Sequence, residues 1–260
     1  MRPIRIVLFA VLSALIGSAI AYVVAIRPRI RAWGLDPRET DLPLPGDDLV
    51  KDPSAVETRG ISIRAPIAKV WPWLVQMGYE RAGWYSYDAL DNKHPSAERI
   101  QPELQSVNVG DVMPTHPGGG FAIKTVDHER ALVLYTDTEL MRSQSERARA
   151  EGNTDLPTPG LKLTGGVLAA SYPEFAASWA FYLEPIGSDE TRLIERFRVK
   201  TPGSGPASAV MGEVMGTGVV LMTRKQMLGI KERAERAEQD EVPAAVDLPL
   251  ATEPVLEPVS

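Results

Sequence analysis

Glu195 is the residue of this 260-residue chain whose setting most directly suggests chemistry. It lies in TRLIERFRVK (Thr191–Lys200), an alternating stretch that predicts a β-strand. Alternation puts Leu193, Glu195, Phe197 and Val199 on one face and Arg192, Ile194, Arg196 and Arg198 on the other. If the first face lines a cavity, desolvation raises the carboxyl pKa unless an arginine pairs with it, and a raised carboxyl can act as general acid or base. The competing reading is a salt bridge, or a twist that returns Glu195 to water, and that reading is preferred. A second cluster, GWYSYD, holds Trp84, Tyr85, Tyr87 and Asp88. Its tyrosine hydroxyls can orient a ligand. The plainer and preferred role of such rings is to fill core and cap a sheet. With Trp179 and Phe181 from the strand Ser178–Glu184, these residues and Glu195 form the candidate ligand-binding set. The catalytic residue, if there is one, is unassigned, with Glu195 the candidate.

Other chemistry falls away. His116 in PTHPGGGF invites comparison with an oxyanion-hole motif, but there is no G-x-S-x-G elbow and no βα repeat. Gly118, Gly119 and Gly120 read as a turn between strands. His94 and His128 sit in polar turns, and the three histidines have no metal-ligand spacing, so no zinc is expected. No phosphate loop, dinucleotide fingerprint, EF-hand or kinase motif occurs, and no cofactor is expected. The absence of cysteine removes disulfides, thiolate metal sites and a cysteine nucleophile. A net charge of −6 argues against a nucleic-acid partner.

The elements that must position these residues follow from periodicity. Val56–Arg64 predicts a strand, and Pro66 then opens a helix. In that helix Ile67, Val70, Trp71, Leu74 and Val75 form one apolar stripe, ended by Gly78. Trp71 is therefore architectural. Gly83–Leu90 suggests a short second helix and Val107–Met113 a short strand. Phe121–Val126 and Ala131–Thr136 predict a hairpin, as do Ser178–Glu184 and Thr191–Lys200. Between them, 139–175 reads as an insertion, with Met141–Glu151 a candidate exposed helix. Ala207–Gln239 predicts a long helix, and the acidic, proline-rich residues 240–260 a disordered tail.

The N-terminus has a different character. From Ile6 to Ile26, 21 residues carry no charge, between Arg2 and Arg5 on one side and Arg27, Arg29 and Arg31 on the other. A helix of that length spans roughly 30 Å, the thickness of a bilayer core. The preferred reading is a single-pass membrane anchor over 1–31. The alternative is a signal peptide cleaved near Ala21, leaving a secreted protein. Residues 32–55, rich in Pro and Asp, read as a linker.

The strand-Ala-Pro-helix opening, VWPWLVQMG, GWYSYD, VGDVMP, SWAFYLEP and TRLIERFRV together resemble the START-like superfamily, also called SRPBCC or polyketide cyclase/dehydrase-like. More narrowly, the chain resembles its membrane-anchored actinobacterial members, which have no assigned function. The resemblance covers 56–239 and departs from the usual pattern in 139–175. It implies an α+β helix-grip fold: a curved antiparallel sheet around a long C-terminal helix, preceded here by the transmembrane helix. It further implies a cavity that holds a hydrophobic small molecule or lipid. The expected function is membrane-tethered binding of such a ligand. The alternatives are a cyclase, aromatase or dehydratase using the same cavity, in which Glu195, Tyr85, Tyr87 and Asp88 would move protons, and an envelope scaffold for a protein partner.

Overall fold

The computed structural model describes residues 17–18, 21–152, 175–201 and 206–241. Six strands form one antiparallel sheet in the order β1-β6-β5-β4-β3-β2. They are β1 (Ala55–Ile63), β2 (Val112–His116), β3 (Gly119–Asp127), β4 (Ala131–Asp137), β5 (Ala176–Ile186) and β6 (Glu190–Lys200). The helices are α1 (Arg27–Arg31), which follows a π-helical turn at Tyr22–Ile26, then α2 (Ile67–Val75), α3 (Asp88–Asp91), α4 (Thr138–Ala150) and α5 (Pro206–Glu241). A long C-terminal helix against an antiparallel sheet is the helix-grip arrangement that the START-like resemblance implies.

Register explains the core. Leu132, Phe181, Glu195 and Arg59 stand opposite one another in a row across β4, β5, β6 and β1. Leu134, Trp179, Phe197 and Glu57 form the next row. Paired residues share a face, so both rows point inward. Onto that face pack Val70, Trp71 and Leu74 of α2 and Met227, Ile230 and Ala234 of α5. The apolar stripe of α2 is thus core, as its spacing predicts.

The outer face carries a finding that the sequence did not suggest. Residues 32–55, expected to be a linker, lie along the sheet as a strap. Arg196 donates to Asp47 Oδ2 and the Leu42 carbonyl, both at 2.7 Å, and to the Thr40 carbonyl at 3.0 Å. Arg192 grips Glu39 with two bonds of 2.7 and 2.6 Å. That grip holds the Glu39 carboxyl below its ordinary pKa. Leu44 and Val50 are buried. Gly46, at φ +90°, passes so close that a Cβ would come within 2.5 Å of Val133 Cγ1. The arginines that alternation puts on the face opposite Glu195 are the anchor points of this strap.

Smaller differences are local. The helix in Gly83–Leu90 shrinks to the single turn Asp88–Asp91. The strand expected at Val107–Met113 forms later, at Val112–His116, because Asn108 and Asp111 close a turn first. Gly119 and Gly120 belong to β3 rather than to a turn. In the expected insertion, α4 is capped by Asp137, which accepts from the Leu140 N–H at 2.8 Å. Its Met141 and Ala148 are buried, so this helix is not wholly exposed. Residues 153–174, most of the apolar segment 6–26 (6–16 and 19–20) and most of the expected tail (242–260) lie outside the described residues. Among the described residues no helix is long and apolar enough to cross a membrane.

Candidate ligand cavity

A cavity of about 160 Å³ opens between the inner face of the sheet and α5. The β2–β3 hairpin supplies His116 and Phe121, the starts of α4 and β5 supply Met141 and Phe175, and α5 supplies Met222, Thr223 and Gln226. Its wall is almost entirely apolar. Two rings from the candidate set border it, Trp84 and Trp179, stacked at 5.2 Å between centroids and 15° between planes. Phe121 and Phe197 meet Trp179 edge-on at 5.8 and 6.1 Å. Aromatic pairs favour these offset and edge geometries, so the wall is braced ring against ring.

Glu195 does not border the cavity. It is fully buried on the inner face, one row behind Trp179. Trp179 Nε1 donates to Glu195 Oε1 at 2.7 Å. Glu195 Oε2 accepts from Arg59 Nη1 at 3.4 Å, and Arg59 also pairs with Glu57. Burial pushes the Glu195 carboxyl above its usual pKa, against the pull of Arg59 and of the indole N–H. Each carboxylate oxygen therefore has a fixed partner, and what Glu195 does is hold the indole that walls the cavity.

The other candidates spread out. Phe181 is fully buried behind Trp179, with ring centroids 5.2 Å apart. Tyr85 is core: its hydroxyl accepts from Gln76 Nε2 at 2.9 Å, Arg233 covers its face at 4.9 Å, and its left-handed backbone (φ +56°) abuts Gly229 of α5. Burial pushes its phenol pKa up. Asp88 accepts from the Ser96 backbone N–H at 2.9 Å and from the Ser96 hydroxyl, which in turn accepts from the Tyr85 N–H at 3.0 Å. That pairing is turn-building. Tyr87 is 45% exposed on the surface.

Apart from His116, set aside on its sequence context, the polar groups at the cavity are ones the sequence did not single out. Asp91 is only 7% exposed, and burial pushes its carboxyl up to about 6, with Asp88 adding to the rise and Ser86 opposing it. Ser86 is near enough to act on the charge but not in hydrogen-bond geometry. Asp91 Oδ1, Ser86 Oγ, Thr136 Oγ1 and Gln226 Oε1 are all shut off from water and lack a hydrogen-bond partner among the described residues. His116 Nδ1 accepts from the Gly118 N–H at 3.1 Å, which puts the proton of the neutral ring on Nε2. Burial lowers the His116 pKa, so the ring is neutral at pH 7. The only sequence signal for Asp91 is its i, i+3 spacing from Asp88 in DALD, which a single helical turn puts on one face. Among the described residues no three His, Asp or Glu side chains gather as a metal site would require.

No family model matches the chain, and no curated protein matches it. Solved structures with a similar course include a conserved protein from Geobacillus kaustophilus, at 12% identity and a TM-score of 0.35, covering 70% of this chain and 97% of that one. A polyketide-cyclase-like protein from Corynebacterium glutamicum matches at 11% identity and a TM-score of 0.28, over 74% of this chain and 96% of its own. An aromatase/cyclase from a Streptomyces species matches at 10% identity and 0.26, over 75% and 99%. At such scores these likenesses carry nothing about ligand or reaction. The strand order and the long closing helix of the chain itself give it a START-like, helix-grip fold.

Proposed function

We propose that the protein binds a small hydrophobic molecule, or the end of a larger one such as a lipid, in the cavity behind Trp84 and Trp179, and that the segment Ile6–Ile26 tethers it to a membrane. The observation that carries the binding reading is the cavity itself, about 160 Å³ with apolar walls. Protein interiors leave few voids larger than a water molecule. A dry apolar cavity of about 150 Å³ is enough to hold benzene, whereas sites for drug-sized ligands run from about 300 Å³. The described walls therefore suit about one ring or a short alkyl branch. The tether rests on the 21 uncharged residues and their arginine flanks. It would raise the encounter rate with any membrane-borne ligand.

Native mass spectrometry of the gently purified full chain is the test. An apolar adduct lost on replacing Trp84 with alanine is expected. An adduct that persists in the Trp84→Ala chain puts the ligand elsewhere. Fractionation of cells expressing the chain with and without residues 6–26 tests the tether, which fails if both forms pellet with membranes alike.

One observation favours a second reading, an enzyme of the cyclase or dehydratase kind. An acid with a pKa of about 6 at an apolar wall is suited to proton transfer near neutral pH. In that reading Asp91 takes the role expected of Glu195.

A further inference from the structure

The unpartnered groups at the cavity are all oxygens able to accept a hydrogen bond. Asp91 Oδ1 and Gln226 Oε1 are acceptors only, and the hydroxyls of Ser86 and Thr136 can also accept. Natively buried polar atoms are nearly always paired, so four at one cavity call for a partner. No lysine or arginine is among the described residues of the wall, and His116 is neutral there. At pH 7.5 the Asp91 carboxyl, with a pKa of about 6, is mostly ionised and has no counter-charge at the wall. Facing the same space are Trp84, Trp179, Phe121 and Phe197, whose π-faces attract cations.

We propose that the ligand of this cavity is a small primary amine on an apolar body, with its ammonium group held by Asp91 and Gln226 and its body against Trp84 and Trp179. The proposal rests on the reading of the cavity as a ligand site and narrows it to one class. An ammonium group offers three N–H donors and a positive charge, which matches acceptor-only oxygens and a lone carboxylate. A neutral alcohol brings one donor and leaves an acceptor unpaired. A carboxylic acid brings like charge. Asp91 Oδ1 and Gln226 Oε1 are closed to water, and both lie on terminal torsions with broad minima. A turn about χ2 of Asp91 changes which of its oxygens faces the cavity without moving the backbone, and a turn about χ3 of Gln226 re-aims Oε1 by giving up the Nε2 bond to Met77 Sδ.

The experiment is calorimetric titration of the full chain in lipid nanodiscs at pH 7.5, with empty nanodiscs as the blank. Benzylamine, benzyl alcohol and toluene are near-isosteric and match the cavity. Benzylamine is expected to bind at least about 10-fold more tightly than benzyl alcohol, as a charge-assisted bond replaces a neutral one. Asp91→Asn should abolish that preference, and Gln226→Leu should weaken it. Equal binding of all three compounds overturns the amine proposal and leaves the apolar-cavity reading standing. So does an amine preference that survives Asp91→Asn. Failure of all three to bind overturns both. The wild-type series alone decides the matter if a variant does not fold.

Discussion

The two faces of the sheet treat their polar residues in opposite ways. On the outer face, Arg192 and Arg196 have donors occupied by the strap: Glu39, Asp47 and the carbonyls of Gly34, Thr40 and Leu42. On the inner face, beside the cavity, Asp91, Thr136, Ser86 and Gln226 each keep an oxygen without a partner. The inner face also shows the contrast within itself, since Glu195 and Arg59 are paired where they back the aromatic wall. Away from the cavity the clamping and bracing groups mostly find partners, although Arg59 Nε, Trp73 Nε1, Gln144 Nε2 and Arg198 Nε do not. At the cavity the unpartnered atoms are four oxygens gathered around one space that a ligand could fill. An unpaired buried acceptor lowers stability by roughly 1–3 kcal/mol, so the cavity is held open at the expense of the fold's own stability.

The widest test of this contrast removes an outer-face clamp. Arg196→Ala takes away one of the two arginines on Asp47 and the donor to the Thr58 hydroxyl and the Leu42 and Thr40 carbonyls, and should destabilise the protein by about 3–5 kcal/mol in denaturant unfolding. A loss under about 1 kcal/mol would mean that the strap is only laid on the surface.

Next in size, and opposite in sign, is Asp91→Asn. The folded pKa of about 6 lies above the ordinary aspartate value of 3.8, so the folded state binds the proton more tightly. Wild-type stability is therefore kept below about pH 4, declines as pH rises towards 6, and stays reduced above it. Asp88 and Ser86 act directly on this carboxyl, and neutral His116 is the other titratable group of the wall. The asparagine variant should be more stable at pH 8 by at most about 3 kcal/mol, with no gain near pH 3.5. Thermal melts across that range decide it. A gain independent of pH sinks the account.

Gly46→Ala comes third. Its φ of +90° and the nearness of Val133 Cγ1 leave no room for a methyl group, so a loss of about 1–3 kcal/mol is expected. The smallest effect is the sharpest comparison. Thr136→Val deletes an unpaired hydroxyl on the cavity side and should be neutral or stabilising. Thr58→Val deletes an acceptor of Arg196 Nε and should cost about 1 kcal/mol. Equal effects at the two threonines would erase the distinction between the faces.

Much of the fold was legible because period and pairing are local properties. Alternation put Glu195 on one face with Leu193 and Phe197, and the structure turns that face inward. The stripe from Ile67 to Val75 marked α2 as core. The cavity was less legible. Trp84 and Trp179 stood out by size and do border it. Tyr85 and Asp88 stood out equally but serve the turn, because which side of a one-turn helix meets the cavity depends on how that turn is docked. Asp91 went unnoticed for the same reason. The strap was missed because alternation shows only that Arg192, Arg196 and Arg198 leave the inner face, and cannot show what awaits them on the other.

By itself the sequence determined the alternation of the strands, the apolar stripe of α2 and the extent of the long C-terminal helix within a few residues. All of these follow from the spacing of apolar residues along the chain, whereas the class of fold came from the START-like resemblance. Tertiary structure alone decided that 33–50 clasps the outer face, that Glu195 braces Trp179 rather than facing a ligand, and that Asp91 stands unpaired at the cavity wall. Each of those depends on residues distant in the chain, such as Asp47 and Arg196, Arg59 and Glu195, or the Asp91 and Gln226 that border one cavity. Packing, not spacing, selects which of these groups find a partner and which are left without one.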